Sequence, residues 1–421
     1  MNCDALQLYK GLPIATNKVS VAERESVPHH LLDCIGLEEE PWTVTQFRKQ
    51  ATNVIEGVRS RGRLPILVGG THYYTQSVLF KDTLLDDTGP PISIEELEQR
   101  WPILCASSEE MLGELKRVDP AMAKSWHPKD KRKIRRSLEI WLTTGQKPSE
   151  AYERQKQRSK AYNNIGHPAG GLQAVESEES QEGGMAGGAS SLQYDPLVLW
   201  THASPSVLRS RLDGRTESML NQGLLAEVES MYRSLRKQQC AGGVIDQSRG
   251  IWVAIGYKEF TPYLLALQEG KTNHKELERL KHAAVEATQL RTRQYAKYQI
   301  RWIRTKLLSA LSDAGYENKL FLLDGSDVSS WAKDVNDTGN NIVAAFLEGN
   351  DLPDPLSICP AAMHMLCLAG KHERTLKHCD ICNKSTMTDD SWQDHLKSAK
   401  HRNTIRAKAR ENITVNPPPL D

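Results

Sequence analysis

Toward one end of the chain, two cysteines and two histidines follow the spacing Cys379-x2-Cys382-x12-His395-x5-His401, and few short sequences restrict a fold as tightly. Zinc favours four nitrogen or sulfur ligands at tetrahedral positions, and this pattern offers two from a turn and two from a following helix. Trp392 and Leu396 flank the first histidine and can form the small apolar core of such a unit. A structural zinc ion contributes on the order of 10 kcal/mol at neutral pH, which for so short a segment is the folding energy itself. The competing explanation is a chance pairing of Cys-x-x-Cys with two unrelated histidines. His372 and His378 fit the spacing less well and are expected to be solvated. The pattern predicts a Zn2+ finger with Cys379, Cys382, His395 and His401 as ligands.

The remaining six of the eight cysteines show no framework spacing, which suits a reducing compartment rather than a disulfide scaffold. The first residues carry no secretory or transit signal, and cytoplasm, mitochondrion and nucleus all stay open as destinations. No apolar run approaches the ~20 residues of a membrane span, so no membrane partner is expected. The net charge of +1 conceals three basic clusters. Lys129 to Arg136 holds six cations and one acid; Arg291 to Lys306 and Lys397 to Arg410 each hold six cations and no acid. Such clusters in a near-neutral chain point to a polyanion held at defined places, with a merely solvated surface as the alternative for the second and third.

A chain of 421 residues can form two or three domains with real cores. Leu64 to Val68, lying between two helical stretches, reads as a buried parallel strand of an α/β layer. Leu197 to Trp200 and Leu320 to Leu323 read as further strands of the same sheet. Val44 to Val58 is helical in pattern, as is the stripe Ile134, Leu138, Trp141, Leu142. Met219 to Leu235 shows another such stripe, with Gly223 inside it. The expected organisation is a first part of the core over 1–118 and a helical insertion over 119–160. A disordered, glycine- and serine-rich insertion follows over 161–193. The rest of the core with a basic helix spans 194–348, a proline-rich linker 349–370, and the finger with its basic tail 371–410.

Three patches of the body carry unusual chemistry. Asp4 and Gln7, after a short apolar start, could bind and deprotonate a polar ligand group, although a lone aspartate at a strand end is commonly a cap. Val68-Gly69-Gly70-Thr71 could bring backbone and hydroxyl close to a ligand at a strand's carboxyl end, or form a tight turn only. Arg211 and Arg215 lie four apart on one helical face and could clamp phosphate oxygens, or pair with Asp213 and Glu217. Arg293, Lys297, Arg301 and Arg304 recur at spacings of four, four and three, which predicts a row of cations on one helix face suited to a phosphate backbone.

In this order, the patches resemble the tRNA dimethylallyltransferases (tRNA isopentenyltransferases), in a fungal or other eukaryotic form. The resemblance extends through Pro28 to Asp33, Asp119-Pro120-Ala121, His127 to Asp130, Arg135 to Glu139, Ile255 to Phe260 and Thr292 to Trp302. It covers residues 1 to about 325 apart from the low-complexity insertion, and a C-terminal finger also occurs in eukaryotic members. It implies a P-loop-NTPase-like parallel-sheet core, a helical tRNA-binding insertion and a small zinc finger resembling those of matrin-type proteins. The implied reaction moves a dimethylallyl group from dimethylallyl diphosphate to N6 of the adenine at position 37, next to the anticodon. Asp4 would be the base, Thr71 and Arg215 would hold the diphosphate, and Mg2+ would accompany it. Gln7, His30, Lys131, Arg132, Arg135, Arg293, Lys297 and Arg301 would bind the tRNA anticodon stem-loop. A monomer is expected.

One departure stands out. The family opens with a strand and a P-loop, Gly-x-Thr-x-x-Gly-Lys-[Ser/Thr], whose amides and lysine cradle the diphosphate. This sequence contains no such loop and begins roughly forty residues late by analogy with the family. Asp4 is then expected near a frayed terminus. The alternative function is a tRNA-binding protein with impaired catalysis.

Overall fold

The computed structural model describes residues 1–81, 94–154, 192–242, 245–270, 273–367, 377–382, 384–386 and 389–406. It divides into two units, Met1–Leu84 with Ala189–Leu368, and Leu85–Gly188 with Ala369–Asp421. In chain order, the first stretch carries α1 (Val44–Arg59) and α2 (His72–Leu79). Four helices follow: α3 (Ile94–Arg100), α4 (Ser108–Val118), α5 (Pro120–Ser125) and α6 (Lys131–Thr144). Helix α7 is described over residues 148–154. Then come β1 (Val198–His202), α8 (Pro205–Asn221), α9 (Leu224–Cys240), α10 (Thr261–Glu269) and α11 (His274–Trp302). The body ends with α12 (Leu308–Asp313), β2 (Leu320–Asp324), α13 (Thr338–Glu348) and α14 (Pro360–Leu366). The finger contains β3 (Lys377–Cys379), β4 (Lys384–Thr386) and α15 (Asp389–Lys397).

Local chemistry explains these boundaries. Helix α1 begins at a reciprocal cap, in which Thr43 accepts from the Gln46 amide and Gln46 accepts from that of Thr43. It buries Phe47, Ala51 and Ile55, the inward stripe of an amphipathic helix. The stripe expected across Met219 to Leu235 is instead two helices, α8 and α9. They break at Gly223, whose φ of 105° only glycine adopts cheaply.

In the first unit, β1 and β2 pair in parallel, Trp200 opposite Leu322, and Leu320, Phe321 and Leu322 are fully buried. The α/β class stands, but Leu64 to Val68 departs from the buried strand expected of it. Among the described residues it makes a single parallel bridge, Val68 with Asn2, and shares no ladder with β1 and β2. The pleat sends Leu64, Ile66 and Val68 outward, at 53%, 61% and 66% exposure, while Leu67 packs on the main core. The start of the chain is also not frayed. The Met1 amino group donates to the Ile66 carbonyl at 2.7 Å and the Cys3 amide to that of Val68 at 2.7 Å. Cys3 is wholly buried.

Two expected boundaries move. Helices α3 and α4 belong with α5 and α6, because Leu97, Met111, Leu115, Met122, Ile134 and Leu138 pack in one apolar cluster. The helical insertion therefore starts well before residue 119. The stretch 349–370 is more than a linker, since Ala362 and Leu366 of α14 pack in the core beside β2. Most of the expected disordered insertion, 161–191, lies outside the described residues, as does the tail from 407. No helix among the described residues is long and apolar enough to cross a membrane.

Candidate active site

The carboxylate of Asp4 sits where the first strand-like segment ends and a turn begins. Its Oδ1 accepts from the Leu6 amide at 2.9 Å, and its own amide donates to Asn2 Oδ1 at 2.9 Å. Burial pushes its pKa above the ordinary carboxylate value, against amides of Leu6 and Gln7, the charge of Arg215 and the Gly70 amide, which pull it down. The adjacent glycine turn needs its glycines. A Cβ at Gly69 would overlap the Cys3 backbone, and one at Gly70 would overlap the Gln299 amide nitrogen. Thr71 then points its hydroxyl toward Asp4's own loop, accepting from the Ala5 amide at 3.0 Å.

The two arginines of α8 have different surroundings. Arg211 donates to the carbonyls of Gly325 at 2.7 Å and Ser326 at 3.0 Å, tying α8 to the end of β2. Arg215 is half-buried and its Nε is buried without a hydrogen-bond partner. Burial lowers its pKa, and Asp4 partly restores it. A buried guanidinium nitrogen with an unmet bond fits an anion there. Asp213, between them, pairs with Arg293 of α11.

Other candidates are placed as follows. Gln7 donates to the Thr16 and Asn17 carbonyls at 3.0 and 3.1 Å, so its amide hydrogens hold a loop. His30 takes the Asn2 amide on its carbonyl at 2.8 Å, and its ring pKa is lowered by burial. Arg135 is bound to Glu139 at 2.8 Å and Glu98 at 2.7 Å, whereas Lys131 and Arg132 are exposed on α6. Lys297 and Arg301 are exposed on α11, but Arg293 is drawn to Asp213. The row does not reach Arg304 as expected, because Ile303–Leu307 forms a wider π turn. That turn changes the periodicity and leaves Arg304 with a buried Nε lacking an acceptor.

Sequence reasoning missed two residues between those cations. Gln299 Nε2 donates to the Gly70 carbonyl at 3.0 Å. Tyr295, one helical turn earlier, has its phenol pKa raised by burial and Asp4 and lowered by the Thr71 and Gln299 side chains. Neither residue belongs to a recognisable spacing pattern; only the i, i+4 relation on α11 hinted that they share a face.

In the finger, one ligand atom from each of Cys379, Cys382, His395 and His401 lies within 4.8 Å of the others. Cys382 Sγ is 3.2 Å and Cys379 Sγ 3.6 Å from His401 Nδ1, and His395 Nε2 is buried without a partner. Two thiols, two imidazoles and an orphaned nitrogen fit tetrahedral zinc. The long x5 spacing works because the helix breaks at Ser398, whose hydroxyl accepts from the His401 amide at 3.1 Å. The two histidines thus come from two helical pieces rather than one. His378 faces Ser385 at 3.0 Å.

Comparison with known proteins accords with both parts. The family model for IPP transferase matches residues 7–306, and that for a zinc finger of C2H2 type matches residues 377–401. The tRNA dimethylallyltransferase of Schizosaccharomyces pombe is 33% identical over 97% of this chain and 89% of its own length. That of Homo sapiens is 32% identical over 97% of this chain and 81% of its own. A crystal structure of a eukaryotic dimethylallyltransferase acting on tRNA shares 28% identity with a TM-score of 0.71, covering 98% of this chain and 91% of that one. The chain belongs to the IPP transferase family.

Proposed function

We propose that the chain transfers a dimethylallyl group from dimethylallyl diphosphate to the exocyclic N6 of adenine 37 in tRNA. The observation that carries this reading is a half-buried carboxylate, Asp4, within electrostatic reach of a guanidinium, Arg215, whose buried Nε lacks a partner. The reaction needs both. As N6 bonds to the first carbon of the dimethylallyl group, the carbon–oxygen bond to diphosphate breaks and the amine gives up a proton. An exocyclic amine is a weak nucleophile, and a carboxylate with a raised pKa is a better proton acceptor than an ordinary one. Arg215 and the Thr71 hydroxyl would meet the negative charge growing on the leaving oxygen. Magnesium, proposed to arrive with the diphosphate, would neutralise part of that charge; the hard oxygens of Thr71 and of the diphosphate itself suit it.

The adenine must leave its stack to reach Asp4, which costs a few kcal/mol and less in a loop than in a duplex. Lys297 and Arg301 on α11, and Lys131 and Arg132 on α6, are proposed to hold the phosphates of the anticodon stem-loop. Roles in the same contact are proposed for Gln7, His30, Arg135 and Arg293, the last two as partners that orient neighbouring groups. The chain is proposed to act as a monomer. The test is to incubate the protein with anticodon stem-loop RNA and dimethylallyl diphosphate and measure the modified nucleoside by mass. Transfer confined to that adenine is expected. RNA binding with no transfer would leave only an RNA-binding protein.

A further inference from the structure

Gln299 occupies an unusual position. It projects from α11 between the exposed cations Lys297 and Arg301, yet its Nε2 reaches inward to the carbonyl of Gly70 at 3.0 Å. The amide is so close that any side chain at Gly70 would collide with it. A second bond of the same kind lies one turn on, from Trp302 Nε1 to Gln76 Oε1 at 3.1 Å. The glycine turn carries Thr71 and lies against the Asp4 carboxylate, whose Oδ2 is 3.7 Å from where a Gly70 Cβ would sit, and the Gly70 amide helps to hold the Asp4 pKa down. We propose that Gln299 is a positioning residue: by gripping the Gly70 carbonyl it sets the Gly70 amide against Asp4 and the Thr71 hydroxyl beside it. This ties the orientation of the catalytic turn to the helix that bears Lys297 and Arg301. The inference rests on the roles proposed above for Asp4 and Thr71.

The physical argument concerns one donor. A carboxylate in a half-buried site keeps its charge through the amides that point at it. Without the Gln299 bond, nothing from α11 holds the Gly70–Thr71 peptide by its carbonyl, and the preceding Gly69–Gly70 peptide, hinged to it at the permissive Gly70 Cα, can swing its amide away from Asp4. The titratable and charged groups that face Asp4 from the packed elements are Arg215 of α8, Tyr295 of α11, Tyr74 of α2 and the neighbouring Cys3. Replacing Gln299 leaves Arg215, Tyr74 and Cys3 untouched. Tyr295, whose phenol also bonds to Gln299, is controlled by repeating the titration in a Tyr295→Phe background, where the shift persists if it reports the Gly70 amide.

The experiment titrates carbon-13-labelled aspartate carboxyls in the full chain by NMR, with Asp4→Asn assigning the Asp4 signal. Gln299→Leu removes the bond at similar size, and Gln299→Asn keeps the amide but shortens its reach. Both are expected to raise the Asp4 midpoint by about half a pH unit or more. The acid limb of the transfer rate should shift in parallel, with RNA affinity within about twofold. Leu and Asn variants that fold as the wild type does but leave the Asp4 midpoint unmoved would overturn the proposal. If Gln299→Leu unfolds, Gln299→Asn alone decides it, in the same way. A wild-type chain that performs no transfer, with the Gln299 variants still showing the shift, would defeat the proposed function and leave the positioning role standing.

Discussion

Arg211 and Arg215 stand four positions apart on one helix and have opposite relations to their surroundings. Arg211 is committed to two backbone carbonyls, so Arg211→Ala should cost stability, about 2 kcal/mol for losing a charged hydrogen-bond pair. Transfer kinetics at a temperature where the variant is folded should be unchanged. Arg215 has a buried nitrogen with no partner, and Arg215→Ala should slow transfer by roughly 10²–10³, as loss of one preplaced charge-stabilising donor does. RNA affinity should survive; equal loss of rate and RNA binding would contradict a diphosphate role. Asp4 extends the argument to pH. Its folded pKa is raised chiefly by burial, and the base works only when ionised, so the acid limb of the rate profile should lie above the ordinary carboxylate value of about 3.9. Arg215→Ala should push that limb higher still, because Arg215 holds the pKa down. The sign for stability follows from the same shift. The folded chain binds the Asp4 proton more tightly than the unfolded chain, so this group's contribution falls as pH rises from the unfolded to the folded pKa. A rate profile flat down to the ordinary carboxylate range would remove Asp4 as the base.

Secondary-structure elements explain why some of the site was legible and some was not. Helix α1 could be read because its apolar stripe and its Thr43–Gln46 cap are both local signals. The break at Gly223 was hidden because the stripe continues in phase on both sides, and only the backbone angle separates α8 from α9. The π turn at Ile303–Leu307 was hidden for a related reason, since a change of helical period leaves no mark in residue type. Asp4, Thr71 and Arg215 come from three separate stretches, and their proximity was readable only through resemblance. Gln299 and Tyr295 lie within the resemblance, yet their contacts depend on how α11 crosses the glycine turn. The structure also narrows the basic row of α11 to Lys297 and Arg301. Neutralising both by Lys297→Gln and Arg301→Gln should weaken stem-loop binding and flatten its dependence on salt, lowering the log–log slope by about one to two. The rate at saturating RNA should change little. An unchanged slope would mean that this face is solvated and contacts no phosphate.

At the scale of the whole molecule, the finger and the catalytic cluster belong to different units, and their stabilities rest on different physics. The body has extended apolar cores around Phe47, Phe260 and Leu322, so it should fold without metal. Among its described residues the finger has one short antiparallel pair, two helical pieces and four clustered ligands. Too little apolar surface is available there to offset chain entropy, and the zinc ion must supply the difference. A strong chelator, or Cys382→Ala, should therefore unfold residues 377–406 while the main thermal transition stays in place. Lys397, Lys400, Arg402 and Arg406 are exposed on the finger's helical end, and a folded finger can present them together to a phosphate backbone. Chelation is then expected to raise the RNA concentration needed for half-maximal transfer several-fold, most clearly at low salt, where phosphate contacts contribute most to affinity. The rate at saturating RNA should not fall, because no residue of the catalytic cluster lies in the finger. Hydrogen exchange would show whether protection is lost from the finger alone. A fall in maximal rate with the body still folded would mean that the finger does more than hold RNA, and the division of labour drawn here would have to be abandoned.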